Sequence, residues 1–384
     1  MATTVISGVQ YSGIWTLPQV NAAISAGTWT GLPYLYSWGA NSNGQLGLGN
    51  TTSYSSPKQI GALTTWLNIA AGYYSGVATK HDGTLWSWGR NNVGQLGLGN
   101  ITLYSSPKQV GALTNWLTVA CGGYFVTAIK TDGTLWTWGQ GTSGQLGDGT
   151  AVNKSSPVQV GALTTWSSSA CGVYFAAAIR TDGTLWTWGQ NNDGELGLGN
   201  ITYYSSPKQV GILTTWSKVA CGGNSTLATK TDNTIWTWGL NSNGQLGLGN
   251  TTNYSSPKQV GALTTWLTPS GEWGSFAAIK TDSTLWSWGR NNVGQLGLGN
   301  TTNYSSPKQV GALTNWSKVF GTVSGGGRRM AIKTDKTLWA WGSNGSGQLG
   351  LGNTTSYSSP KQVGALTGWL NVASGYSFTL AITS

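Results

Sequence analysis

The sequence predicts an all-β fold: a closed seven-bladed β-propeller of four-stranded blades, with a short N-terminal arm in front of it. Three observations carry that prediction. A motif of about fifty residues recurs seven times, each copy alternates short apolar runs with Gly- and Asp-containing turns, and the two ends of the chain hold complementary parts of one copy. Self-similarity at this period marks a repeat architecture, and four short strands per copy is the pattern of propeller blades.

Each copy is anchored by a Trp-x-Trp-Gly segment or a variant of it, at Trp38, Trp88, Trp138, Trp188, Trp238, Trp288 and Trp341, followed by Gly-Gln-Leu-Gly or Gly-Glu-Leu-Gly. The first five intervals are fifty residues and the sixth is fifty-three, because Gly321–Arg329 carries three additional residues. Within one copy, Leu85-Trp-Ser-Trp-Gly is a strand, and a polar loop with Gly97 and Gly99 leads to Tyr104-Ser-Ser-Pro-Lys-Gln-Val. Trp116 and the small residues Val119-Ala-Cys-Gly come next, then Phe125-Val-Thr-Ala-Ile-Lys-Thr-Asp-Gly. Asp132-Gly133 lies between two apolar runs, a hairpin signal because type I′ turns and G1 bulges need residues that tolerate positive φ. The turn recurs at Asp82 and Asp182, with Asp-Asn, Asp-Ser and Asp-Lys in later copies.

The last copy stops at Phe378–Ser384, where the others continue into the Trp strand, and the first begins at Tyr34–Gly39 without the strands that precede it elsewhere. Pairing the two halves completes one blade and removes two sheet edges that would template aggregation. The propeller therefore takes residues 34–384 and the arm residues 1–33.

Composition agrees. With 59 Gly, 23 Trp and only 8% charged residues, the chain is built for turns and aromatic packing rather than solvated helices. No window approaches the roughly 18 apolar residues of a membrane span, so no membrane insertion is expected. Met1–Gly8 has neither the basic nor the apolar region of a signal peptide, which argues against export. Cys121, Cys171 and Cys221 occupy one point of three successive copies, too far apart for a disulfide. They read as reduced structural thiols, with no metal. The Asn-x-Thr sequons at Asn50, Asn100, Asn200, Asn250, Asn300 and Asn353 read as turn residues.

Trp-Gly-x-Asn-x-x-Gly-Gln-Leu-Gly-Leu-Gly, then Pro-x-x-Val, Val-Ala-Cys-Gly and Ala-Ile-Lys-Thr-Asp-Gly together resemble the regulator of chromosome condensation repeat, over residues 34–384. The resemblance implies a seven-bladed propeller. It also implies a protein-binding role, like that of the family's nucleotide exchange factors or of the bacterial β-lactamase inhibitory propellers. The family's usual Gly-x-His is replaced here by Gly123-Tyr124, Val173-Tyr174 and similar pairs, which weakens the exchange-factor version, and the secreted-inhibitor version lacks an export signal.

Catalysis needs positioned groups that break the repeat, and the chain offers one His and ten carboxylates. Asp82, Asp132, Asp182, Asp232, Asp282 and Asp335 all hold the same turn position, which turn chemistry explains. His81, Asp148, Asp193, Glu195 and Glu272 remain, with no catalytic or cation-binding spacing. No enzymatic activity, catalytic residue, cofactor or metal is expected.

The net charge of +10 has its own logic. Lys80, Lys130, Arg180, Lys230, Lys280 and Lys333 each stand two residues before a turn Asp, so that ring reads as locally balanced. Lys58, Lys108, Lys208, Lys258, Lys308 and Lys361 follow Ser-Ser-Pro with no acid nearby, and their simplest role is a solvated loop. Nucleic-acid binding is not expected, because the Trp residues that could stack bases sit in strand patterns. Tyr54, Tyr104, Tyr204, Tyr254, Tyr304 and Tyr357 precede those Lys by four residues. Two readings stand for this Tyr/Lys ring: a multivalent grip on host surface glycan or protein, or Tyr packed on the adjoining blade.

A singular contact must use a departure from the repeat, and two departures fall on neighbouring blades at one turn. Pro269–Ser275 introduces Glu272 and Trp273, and Gly321–Arg329 introduces Arg328 and Arg329. An exposed Trp beside two Arg has the composition of a binding hot spot. The alternative is drift, with Trp273 on its own blade and the arginines solvated.

The arm carries Tyr11, Ile14, Trp15, Leu17 and Trp29 and no charge, so in water it would be an association liability. Gly8-Val-Gln-Tyr-Ser-Gly-Ile-Trp-Thr-Leu-Pro-Gln resembles the opening segment of some tailed-phage virion proteins. That resemblance implies a non-enzymatic virion structural or host-recognition protein, assembled in host cytoplasm in multiple copies. The arm would hold other virion proteins and the propeller would be the displayed binding head. A soluble protein-binding propeller is the other expectation.

Overall fold

The computed structural model describes residues 33–62, 65–323 and 325–384. The arm residues Tyr11, Ile14, Trp15, Leu17 and Trp29 lie outside the described residues. Every regular element among the described residues is a strand, and the strands form seven four-stranded antiparallel sheets. The second blade runs β3 (Trp66–Ala71), β4 (Ser75–Lys80), β5 (Leu85–Gly89) and β6 (Tyr104–Gln109), side by side in chain order. The next five blades repeat it.

The first blade is composite. Its order is β2 (Tyr54–Gln59), β1 (Tyr34–Gly39), β28 (Phe378–Thr383) and β27 (Trp369–Ser374). The register of β1 against β28 runs unbroken from Tyr34↔Thr383 to Gly39↔Phe378. The terminal halves therefore meet as the sequence predicts, and no inner sheet edge is left open at the join.

The motif residues are explained by the seams between blades. Trp88 is fully buried, and its Nε1 donates to the carbonyl of Gln45 in the preceding blade at 2.9 Å. The bond recurs at each seam and closes the ring with Trp38 donating to the Gln348 carbonyl at 2.9 Å. A Cβ on Gly47 would sit 2.9 Å from the Trp88 Nε1, so the final Gly of Gly-Gln-Leu-Gly is the space the indole enters. Burying one such indole is worth on the order of 5 kcal/mol before entropy is counted. Asn41 braces the loop from within: its Oδ1 accepts from Leu46 N at 2.9 Å and its Nδ2 donates to the carbonyls of Asn50 and Thr52.

The Asp-Gly turns form as expected, with Gly83 at φ 75°. Asn233, Ser283 and Lys336 hold the same left-handed turn position at φ 60°, 62° and 61° without the freedom of glycine. Asp82 Oδ1 accepts from both the amide and the hydroxyl of Thr84, which hold its carboxyl below the usual range against the opposing effect of burial.

The balance expected between Lys80 and Asp82 holds, since each stabilises the other's charge, but without a direct ion pair. The Asp82 carboxylate is bound by Thr84, while Lys80 Nζ stands 3.7 Å from the Trp86 ring centroid and 4.9 Å from that of Trp66. Among the described residues, only Arg180 makes the ion pair with its turn aspartate, at 3.6 Å from Asp182.

Candidate functional site: an asymmetric channel mouth

The turn between the inner two strands of each blade surrounds the central axis at one face. There the blades are joined by a chain of main-chain bonds. Tyr376 N donates to Tyr73 O, Tyr73 N to Gly123 O, Gly123 N to Val173 O, Val173 N to Gly223 O, Gly223 N to Trp273 O, and Trp273 N to Thr322 O, all between 2.9 and 3.2 Å. So close an approach demands glycine before the turn: a Cβ on Gly122 would lie 2.6 Å from Gly172 O.

At the seam from the seventh blade to the first, side chains reach across as well. Thr322 Oγ1 donates to Gly375 O at 3.1 Å. Arg328, at the start of β24 (Arg328–Lys333), sends its guanidinium to the carbonyls of Gly375, Tyr376 and Phe378. Arg329 turns the other way, donating to Ser275 Oγ at 2.6 Å, and Ser275 Oγ in turn donates to Glu272 Oε2 at 2.6 Å. Burial pushes the Glu272 carboxyl up and Arg329 pulls it back.

The expected hot spot of Trp273, Arg328 and Arg329 is therefore corrected. The two departures do lie side by side, but both arginines are fully buried, their donors answering carbonyl and hydroxyl groups at two seams. Trp273 is 36% exposed, and the cation near it is Arg290, 5.0 Å from its ring.

What the mouth exposes is a tyrosine cluster. Tyr73 stacks at 4.9 Å from Tyr124, 5.9 Å from Tyr376 and 6.2 Å from Tyr74. The Arg90 guanidinium lies 5.5 Å from the Tyr74 ring and 5.7 Å from that of Tyr124. Burial, then the neighbouring phenols including Tyr174, push the Tyr73 hydroxyl well above its ordinary value. Tyr376 is 42% exposed.

The long loop from β5 to β6 ends on the same face, since Gly89 pairs with both Ser75 and Tyr104. Here a second asymmetry appears. Ile101, Leu103, Val152, Ile201 and Tyr203 are exposed by 42–67% on the second, third and fourth blades. At the positions of Ile101 and Leu103 the first, fifth, sixth and seventh carry Thr51, Ser53, Thr251, Asn253, Thr301, Asn303, Thr354 and Ser356, and at that of Val152 they carry Thr52, Thr252, Thr302 and Thr355. The tyrosines belong to the first four blades, so an aromatic centre and an apolar rim share one half of one face. Sequence reasoning missed both. The signal was the repeat's own disagreement at the residues after Gly122 and after Asn100.

Of the two readings of the Tyr/Lys ring, packing on the adjoining blade is the one seen: Tyr54, Tyr204 and Tyr357 are half-buried against clusters that include Trp88, Trp238 and Trp38 of the next blade. Tyr54, Tyr104, Tyr204, Tyr254, Tyr304 and Tyr357 each begin a blade's outermost strand rather than lie in a loop. Their charged partners are in their own strands: Lys58, Lys108, Lys208, Lys258, Lys308 and Lys361 place Nζ 5.2–5.6 Å from the tyrosine ring. Asn100 Nδ2 also reaches Tyr104 OH at 3.4 Å. The reason is the pleat, which turns residues four apart in a strand to the same side.

The five titratable residues outside turn duty are also placed. Asp148 accepts from Thr150 and pairs with Lys154 at 3.5 Å. Asp193 accepts from Asn224 and Asn253. Glu195 fills the buried position that Gln45 holds in the first copy, its Oε2 accepting from Asp193 N at 2.8 Å. Glu272 is in the arginine network described above, and His81 is exposed in its turn. Among the described residues no group of His, Cys, Asp and Glu could hold a metal ion. The three cysteines are buried and unpaired, with the Cys171 thiol pushed up to about 12 by burial.

Comparison with known proteins gives the same architecture. Human WBSCR16 superposes with a TM-score of 0.82 at 19% identity, covering 92% of this chain and 99% of that one. Prp20p from Saccharomyces cerevisiae, described with its binding to Gsp1p and histones, gives 0.79 at 19% identity over 91% of each chain. Yeast RCC1 (Prp20), solved with Kap60 bound to it, gives 0.82 at 19% identity over 100% of this chain and 96% of that one. The regulator of chromosome condensation (RCC1) repeat model matches residues 34–79, 82–129, 132–179, 182–229, 232–267, 282–328 and 335–382, and a second model of the repeat matches 66–95, 117–145, 168–195 and 216–245. By its repeats and its seven-bladed ring, the chain belongs to the regulator of chromosome condensation (RCC1) repeat family.

Proposed function

We propose that this chain is a non-enzymatic, protein-binding propeller that docks one partner on the tyrosine face. The observation that supports this most is the coincidence of the aromatic mouth and the apolar rim on adjacent blades of an otherwise repetitive ring. A symmetric ring offers only symmetric contacts, so a singular partner requires such a departure. Exposed aromatic and aliphatic residues around an Arg are what protein interfaces concentrate at their centres. The propellers of similar fold described with Gsp1p, histones or Kap60 are consistent with a protein partner, whose identity for this chain is a separate matter. The carboxylates have structural partners in the fold, in keeping with a binding role.

The test uses Ile101→Asp, Ile201→Asp and Tyr376→Ala together, against Lys108→Met on the outer strand as control. From cells that make the chain, a protein captured in stoichiometric amount should be lost at least tenfold with the triple variant and retained with the control. Capture that ignores the face variant overturns the proposal.

A second reading rests on the sequence of residues 1–33, which favours attachment to a virion and places the propeller as its displayed head. Deleting residues 1–32 should then abolish incorporation into particles while leaving a folded propeller. Particles that keep the truncated chain at parental levels exclude an attachment role for the arm.

A further inference from the structure

The face opposite the tyrosine mouth carries a second apolar surface. The chain crosses it between blades: after the outermost strand β6 (Tyr104–Gln109), the loop Gly111-Ala-Leu-Thr114 leads to β7 (Trp116–Cys121), the innermost strand of the next blade, whose far end reaches the mouth. A strand of six residues is roughly 20 Å long, so the two faces are separate surfaces. The Gly-Ala-Leu loop recurs at the other seams, with Gly211-Ile-Leu as a variant.

Leu113, Leu163, Leu213, Leu263, Leu313 and Leu366 of these loops are exposed by 42–51%. The covered part of Leu113 rests beside Trp116, with Leu213 and Leu313 placed likewise beside Trp216 and Trp316, and the remainder faces outward. Leu67, Leu117 and Leu267, at the near ends of innermost strands, are exposed as well. Ile212 is exposed by 91%, more than any other large apolar residue among the described ones. Turning the chain does not require these side chains, since Gly111 already supplies the left-handed residue at φ 62°. The Asp-Gly hairpins at the same end of the strands turn with polar residues. Single exposed leucines are ordinary, but one repeated at the same place from seam to seam marks a contact surface.

What covers this face follows from where the chain enters the ring. Tyr34, the first residue of β1, pairs with Thr383, and Thr383 pairs with Trp369, so β1 begins on the face that holds the Gly364–Gly368 loop and its exposed Leu366. Residues 1–32 are therefore tethered to the leucine face and not to the mouth. They carry no charged side chain and include Val5, Ile6, Ile14, Trp15, Leu17 and Trp29. A segment of that length reaches up to about 100 Å, several times the roughly 15 Å width of a four-stranded blade. Distant seams are within its span. The tether also gives the segment an effective concentration on the order of mM at this face, which favours it over a free partner of similar composition.

We propose that residues 1–32 dock across the leucine face of their own ring, laying aromatic and aliphatic side chains on the exposed leucines of the seam loops. Neither the segment nor the Gly-Ala-Leu loops bring a charge that the contact would have to bury. The inference concerns the free chain and the face opposite the proposed protein-docking one, so it stands or falls apart from that reading.

The test places a photo-cross-linker in the full chain as Trp15→p-benzoylphenylalanine and irradiates a mixture of isotope-labelled and unlabelled protein. Cross-links from position 15 to seam-loop peptides, such as those that hold Leu213 or Leu366, are expected within a single isotopic form. The absence of cross-links to the ring, cross-links to the tyrosine face, or cross-links that join labelled to unlabelled chains each overturns the proposal. A second variant combines Ile212→Ser, Leu213→Ser and Leu263→Ser, all at exposed loop positions, and Leu366→Ser alone serves if the triple variant melts early. Chymotrypsin should cut after Trp15 and Trp29 at least about tenfold faster in the variant than in the parent, because a released segment is open to the protease. Equal cleavage rates overturn the docking.

Discussion

Glu195 shows how one residue can depart from the repeat at a cost. Burial, reinforced by the Asp193 carboxylate, pushes its carboxyl up to about 7, where Gln45, Gln145, Gln245, Gln295 and Gln348 hold the position neutrally in other copies. A carboxyl whose folded value exceeds its unfolded value of 4.5 is equally protonated in both states below that pH. Between about pH 4.5 and 7 the unfolded chain ionises first, so folding loses stability as pH rises, levelling off above about 7. Glu195→Gln should therefore raise stability at pH 8 by up to about 3 kcal/mol and leave it nearly unchanged at pH 4.5. Urea unfolding of both proteins at the two pH values checks this. A gain of equal size at both would show that ionisation is not the cause.

At the scale of elements, β24 (Arg328–Lys333) is where the inserted residues act. The additional three residues of Gly321–Arg329 lie at the seam between the seventh blade and the first, and the guanidinium of Arg328 bridges it. Met has similar length without the donors, so Arg328→Met leaves three carbonyls of the composite blade without this partner. A loss of about 3 kcal/mol or more is expected in denaturant unfolding. A change below about 1 kcal/mol would mean that Thr322 and the apolar packing of the seventh blade on the first hold the seam unaided. The outer strands behave differently: Tyr and Lys face one another along each strand, which gives the conspicuous sequence ring a structural basis.

For the whole molecule, repetition and its violations divide the surface into two kinds. The side wall repeats from blade to blade; the tyrosine face is lopsided, as a singular contact requires. The face depends on Tyr376 lying beside Tyr73 across the junction of the first and second blades, a contact between residues some 300 positions apart.

Blade number, strand pattern, hairpin turns and the completion of one blade from both termini were legible in the amino-acid order alone. Each depends on local periodicity and on turn chemistry that acts within a few residues, and fifty-residue copies state it seven times over. The family followed from the same motifs. Tertiary structure alone decided where the departures point. Arg328 and Arg329 read as surface residues until the carbonyls of Gly375 and Tyr376 and the hydroxyl of Ser275 appeared as their partners. The spacing of Lys80 and Asp82 showed their local charge balance but not the two indoles that enclose the ammonium. The physical reason is common to these cases: a side chain at a blade edge takes its environment from the neighbouring blade, and that neighbour lies fifty or more residues away in the chain.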